Sequence, residues 1–348
     1  VTFLEPEPRR RTRLGARRLF GIVLAVLLNL ALIASIFWLG THRDRVSDQF
    51  AVWNFTAAPA ISDYAARSTM TEEGRFLFYA SRPSIASGTE FDTACATHQE
   101  GVGILGCYLP ADRSIHLFDV TDPRLDGLED VVAAHEMLHA AWDRMSADER
   151  AKLAPLLEAE VAKLSDDTAL AETLAFYATA EPGERLNELH SILGTEYPDL
   201  SPQLEAHYAE YFSDRKAVTA MHDTSNAVFV EQAAQIAALV AQIDALAAGI
   251  DTDYAAYNAG YDQLTADVRS FNSRAEAGGF DSQAAFDHER QALISRQADL
   301  DTLYGSIQER HDTYAGLVAQ LDDLNAQVDQ LNQSINISPH DSTGVNPG

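Results

Sequence analysis

His135-Glu136-Met137-Leu138-His139 places two imidazoles four residues apart, with a carboxylate directly after the first. On an α-helix that spacing sets both rings on one face, where a single metal ion can take a nitrogen from each. Glu136 then points toward the remaining coordination position, where it can take a proton from water. A tetrahedral zinc site with three protein ligands and one water is the hydrolytic kind. Chance also produces this pattern on ordinary amphipathic helices, so the flanking residues matter.

Those flanks favour a real helix. No proline or glycine follows Gly127 through Asp143, and Val131, Ala134, Leu138 and Ala141 recur at helical spacing as a core face. Glu129 and Asp130 sit in the first turn, where the helix dipole favours acids. A third protein ligand is still required. The glycine and third histidine that metzincins place just downstream are absent from His139-Ala140-Ala141-Trp142-Asp143, so a later carboxylate is the better candidate.

Asn187-Glu188-Leu189-His190-Ser191 opens a helical segment about 50 residues on. Asn-Glu-x-x-Ser resembles the third-ligand segment of thermolysin-like gluzincins, and His-Glu-x-x-His-Ala-x-x-Asp is similar to their metal helix. The resemblance covers these two segments, about a tenth of the chain. It implies a zincin-like fold, zinc held by His135, His139 and Glu188, Glu136 as general base, and Asp143 as the aspartate supporting the ligands. The aspartate that the family places four residues after the third ligand is Ile192 here. Glu188 is the preferred third ligand because of its neighbours, with Glu172 and Glu196 as rivals; without such neighbours a glutamate reads as a solvated surface carboxylate. His190, two residues from Glu188, falls on nearly the opposite helix face and reads as structural. Tyr177, Tyr197, His207 and Tyr208 are the polar side chains considered for stabilising an oxyanion.

Phe20 to Leu39 carries no charge and only Asn29 and Ser35 as polar residues, long enough to cross a bilayer. Trp38 stands at one end, and Arg9, Arg10, Arg11, Arg13, Arg17 and Arg18 precede the run, which puts the N-terminus in the cytoplasm. A cleaved signal peptide is the alternative. The first residue, Val, hints at a bacterial non-AUG start. The expectation is a single-pass bacterial membrane protein whose remaining chain lies outside the cytoplasm.

Residues 1–19 are net +4 in a chain of net −27, which leaves −31 on the rest. So acidic a body repels nucleic acid and anionic headgroups. Cys95 and Cys107 are the only cysteines, and in an exported domain they are expected to form a disulfide.

Phe76-Leu77-Phe78-Tyr79-Ala80 is short and aromatic and predicts a strand. Gly106–Leu109 and Ser114–Val120 flank Pro110-Ala111-Asp112-Arg113 and predict a hairpin. By the gluzincin resemblance, Ile115 to Phe118 would pair with an extended peptide substrate. His116 alternates with Ile115 and Leu117 and faces away from them. Ser146-Ala147-Asp148-Glu149 is a capping box, Ser201-Pro202 starts another helix, Glu181-Pro182-Gly183 breaks the chain before Glu188, and Gly194 is read as that helix's end.

Phe229, Ile236, Ile243, Ile250, Tyr257, Leu264 and Phe271 keep a seven-residue period. After Gly278-Gly279 the period returns from Phe286 to Ile335, with Arg296 and Arg310 interrupting the companion positions. Such heptads bury a narrow seam. Folding back at the glycines makes an antiparallel hairpin that pairs Phe271 with Phe286 and Phe229 with Val328. It reads as a spacer, or as an arm for a protein partner or self-association.

The fold expected is α+β, mainly α, with a small strand module. Residues 1–19 form a basic tail, 20–39 an anchor, 46–222 a zincin-like domain, 226–335 a coiled-coil hairpin and 336–348 a disordered tail. The activity expected is zinc-dependent hydrolysis of a peptide or protein substrate outside the cytoplasm. The alternative is a non-enzymatic envelope scaffold with a structural or vestigial metal site. A third reading is hydrolysis of a non-peptide amide or cell-wall bond.

Overall fold

The apolar run is one helix, α1 (Ala16–Thr41), and its stretch Phe20–Trp38 is exposed along its whole length. It could serve as a membrane span or a signal sequence. The structure, a computed structural model, describes residues 16–41, 43–96, 105–180 and 182–335. The expected disordered tail 336–348 and most of the basic N-terminal tail lie outside these residues.

Helices α2 (Arg43–Asn54), α3 (Pro59–Arg67) and α4 (Glu72–Ala80) follow. The run Phe76–Ala80, expected as a strand, is instead the second half of α4. Thr71 caps that helix by accepting from Gly74 N at 3.1 Å, Glu72 and Glu73 occupy its first turn, and Gly74, Leu77 and Phe78 bury one face. The upstream cap and the helical spacing outweigh the strand preference of three aromatic residues.

Strand β1 (Ser84–Ala86), helix α5 (Gly88–Ala94), β2 (Gly106–Leu109) and β3 (Ser114–Phe118) form the small sheet module. The hairpin pairs Gly106 with Leu117 and Leu109 with Ser114, while β1 runs parallel to β3 on its other side. The sheet order is therefore β1-β3-β2. Strand β3, expected to hold substrate backbone, is the central strand with a neighbour on each side; β1 and β2 are the edges. Cys95 and Cys107 are bonded and tie the end of α5 to β2.

The long helix α6 (Leu128–Arg144) carries the two histidines and packs directly on α9 (Arg185–Thr195), against which α7 (Ala147–Lys163) and α8 (Thr168–Ala180) lie, with α10 (Pro202–Tyr208) against α7. Both halves of the Ser146–Glu149 capping box are present. Met137, Leu138, Leu189, Ile192, Leu193 and Tyr208 are fully or almost fully buried where α6, α9 and α10 meet.

One helix, α11 (Arg215–Glu276), runs from this core out into the coiled coil, and α12 (Gln283–Ser334) returns beside it. The point between 222 and 226 thus lies inside a continuous helix, whose first turns (Val218, Thr219, Ser225) are buried in the globular body. Phe271 and Phe286 stack 4.9 Å apart beside the turn at Gly278. At the root, Leu331 and Ile335 pack with Leu125 and Phe229. The seam is in step along its length. Arg296 and Arg310, which interrupt the heptads, each pair across it, with Asp267 at 2.6 Å and Asp253 at 2.9 Å.

Candidate metal centre

Two helices build the site. Gly127, at φ +94°, turns the chain into α6, and Gly183, at φ +104°, turns it into α9. Gly194, expected as a helix end, lies inside the last turn of α9. A β-carbon there would stand 2.4 Å from Leu138 Cδ1 and 2.8 Å from Tyr208 Cε1. The missing side chain lets α9 lie against α6 closely enough to bring Glu188 to the histidines.

Glu188 Oε1 is 3.7 Å from His139 Nε2, and its Oε2 is 4.0 Å from His135 Nε2. The three ligand atoms lie within 4.8 Å of one another, so this group could hold a metal ion. Bonds of about 2.0–2.1 Å in a tetrahedron separate ligands by roughly 3.3 Å, a contraction that small side-chain rotations supply. Two imidazoles and a carboxylate form the nitrogen–oxygen donor set that suits zinc. Burial pulls the His135 imidazole well below its usual range, helped by the charges of His139 and His222, so the ring is neutral and its lone pair available.

A chain of hydrogen bonds aims the second ring. Asn187 Nδ2 donates to Glu184 Oε2 at 3.1 Å, which turns the amide oxygen toward His139. His139 Nδ1 lies 2.9 Å from that Oδ1 and 3.2 Å from Ser191 Oγ. An amide oxygen only accepts, so we place the proton on Nδ1 and leave Nε2 facing Glu188. Asn187 and Ser191, which frame the sequence segment, thus hold the ring.

Asp143 sits at the other end of α6. It accepts from Tyr108 Oη at 2.9 Å and faces Arg113 Nε at 3.4 Å, on the hairpin side of the helix. The side chains that hydrogen-bond His139 Nδ1, Asn187 and Ser191, are on α9.

Glu136 is 1 % exposed and lies under the edge strand. A β-carbon on Gly106 would come within 2.7 Å of its Oε1 and 2.6 Å of Val132 Cγ1. The glycine opening β2 therefore makes room for this carboxylate.

The two alternative carboxylates separate. Glu172 is exposed on α8. Glu196 has its carboxyl raised to about 7 by burial and by the charges of Asp167 and Glu188, and its Oε2 lies 3.7 Å from His222 Nε2. His222, from the first turns of α11, is the polar group that sequence reading missed. It stands 87 positions from His135, and no local pattern marks it. The four side chains considered for an oxyanion have other settings. Tyr208 donates to His190 O at 2.7 Å, Tyr197 to Asp167 at 2.8 Å, and Tyr177 is buried. His207 Nε2 meets His190 Nε2 at 2.9 Å; burial lowers the His207 ring to about 4 and holds His190 far below its usual range. His190 is fully buried and stacks on Tyr208. His116 is half-buried on β3, between Ser84 Oγ at 2.9 Å and Ser114 Oγ at 3.1 Å.

No protein-family model, curated protein or solved structure matches this chain.

Proposed function

We propose that the chain is a zinc-dependent peptidase, held to a bacterial membrane by α1 and acting outside the cytoplasm. The observation that carries the reading is the His135–His139–Glu188 donor triangle, with Glu136 one residue along under a sheet edge. When bound, zinc would polarise a carbonyl and acidify water. Glu136 would take the proton from the attacking water and pass it to the departing amine. The outer edge of β2, which pairs with no strand among the described residues, is available in place of β3 to align an extended substrate through main-chain hydrogen bonds. His222 is the side chain we assign to the rim of the site.

The test uses the full chain in detergent, loaded with zinc and given a quenched-fluorescence peptide library. Glu136→Gln should retain the metal and lose roughly 100-fold or more of the rate. Wild-type cleavage by that variant would remove the catalytic assignment. If a cell-wall amide were hydrolysed and the peptides were not, the chemistry would stand and the substrate class would change.

One observation favours the scaffold reading. Glu136, His139 and Glu188 are 1–4 % exposed, and only His135 reaches 13 %. Closed sites of this kind suit a structural metal. A chelator that lowers the melting temperature of a chain inactive on every substrate would establish that reading instead.

A further inference from the structure

Outside α1, α2 and Phe176, the exposed large apolar side chains among the described residues all lie on the hairpin: Val230, Val240, Tyr261, Val268, Ile294 and Tyr304, each 36–60 % exposed. With Phe229 and Phe286 taken as the first position of each heptad series, every one of the six falls one or four places after a seam residue. Both places lie on one flank of a helix, beside the seam. Tyr254 on that flank of α11 meets His311 on that flank of α12, ring to ring at 5.6 Å, and accepts from Gln308 Nε2 at 3.4 Å. Tyr257 bridges Tyr261 at 6.1 Å and Tyr304 at 5.3 Å. The two flanks therefore face the same side and form a shallow apolar groove between the helices.

The charges are divided just as sharply. Arg274, Arg296 and Arg310 lie three places after seam residues, on the other flank, where they pair with Glu289, Asp267 and Asp253. The places bordering the groove hold Asp244, Asp251, Asp287, Asp301, Asp322 and Asp329, no lysine, and one arginine, Arg290, close to the hairpin turn. Residues 226–335 carry 17 acids against five bases, so a second copy laid into the groove would meet acid with acid.

We propose that this groove receives one basic amphipathic helix, supplied by a partner protein, to complete a three-helix coiled coil. The apolar stripe from Val240 to Val268 spans about 42 Å, or four heptads. The partner's lysines or arginines would sit opposite the aspartate rims, while its apolar seam covers Tyr261 and Tyr304.

The probe is a synthetic four-heptad helix with leucine seams and lysine flanks, titrated by fluorescence anisotropy against the full chain in nanodiscs. One peptide should bind per chain. Tyr261→Asp with Val268→Asp should weaken it about tenfold or more, while Ala245→Asp with Ala259→Asp, on the opposite arc, should leave it within about twofold. Asp244→Lys with Asp251→Lys and Asp322→Lys should reverse the preference toward a glutamate-flanked peptide. Circular dichroism of each variant must keep the wild-type helicity; where Tyr261→Asp unfolds the arm, Tyr261→Ser with Val268→Thr replaces it. Equal binding of a scrambled lysine peptide, or equal loss in both aspartate pairs, would overturn the proposal. So would sedimentation showing a dimer of the chain that Tyr261→Asp with Val268→Asp dissolves, because the groove would then belong to a second copy.

Discussion

The orientation of His139 depends on a neutral amide, and that makes it testable apart from the ligands themselves. Glu184 fixes the Asn187 amide, and the amide fixes the ring. Asn187→Leu keeps the volume and removes the acceptor, so zinc affinity should fall roughly 10–100-fold in competition with a chromophoric chelator. An unchanged affinity would mean that Ser191 alone aims the ring. Asp130 makes a second prediction. It is buried on α6, its Oδ1 has no hydrogen-bond partner among the described residues, and Arg67 approaches only to 3.4 Å. Burial raises the carboxyl to about 6, against the pull of Arg67. Between about pH 4 and pH 6 the folded chain therefore keeps a proton the unfolded chain has lost, and stability falls as pH rises through that window. Asp130→Asn removes this cost. Relative to wild type it should gain about 2 kcal/mol in denaturant unfolding between pH 4 and pH 7. At this scale, residues carried by a local pattern were legible: two histidines one turn apart, and an Asn-Glu-x-x-Ser segment that the structure brings within 4.0 Å of them. His222 was not, because its place beside Glu196 follows from how α11 packs.

Two glycines decide how the elements approach one another. Gly194→Ala would drive a methyl into Leu138 and Tyr208, which are packed on all sides. The expected cost is about 1–3 kcal/mol, read as a lower denaturation midpoint, and zinc affinity should fall with it as Glu188 is pushed away. Gly106→Ala acts differently, because the atom it meets on Glu136 is the end of a movable side chain. The carboxylate gives way, so hydrolysis should fall well before metal content does; equal loss of both would separate Glu136 from the β2 edge. Caps and breaks were the readable part of the elements: the Ser146 box, the Pro182-Gly183 break and the hairpin turn between β2 and β3. The misreadings came where tertiary neighbours decide. Phe76–Ala80 has strand-forming residues on a helix whose cap lies five positions upstream. Strand β3 became central because β1, only three residues long, pairs on its far side. Gly194 serves helix packing rather than termination.

Across the whole molecule, the metal helix is tied to the segment that follows the apolar anchor. Helix α2 starts two positions after α1 ends, and its Asp48, 5 % exposed, takes both arms of Arg144 at 2.9 and 3.0 Å. Arg144 ends α6 and also donates to Tyr108 Oη at 3.3 Å, so one guanidinium joins α2, the metal helix and the edge strand. Through this clamp the segment after the anchor is joined to the metal helix, and α11 runs from the same core out to the hairpin. The pair is buried, so its net worth is small while the cost of breaking it is large. Asp48→Ala strands a buried cation and should destabilise the chain by about 3 kcal/mol. Asp48→Ala with Arg144→Met removes both charges and fills the space, and should recover most of that loss in the same chemical denaturation. Zinc affinity should be normal in the double variant, because the two histidines lie a full turn or more from Arg144 along α6 and Glu188 comes from α9. If the double variant were instead as unstable as the single, the contribution of Arg144 would come from Tyr108 and the Ala140 carbonyl, to which it donates at 3.0 Å, and α2 would be held by its contacts with α4, the Arg45–Glu73 ion pair among them.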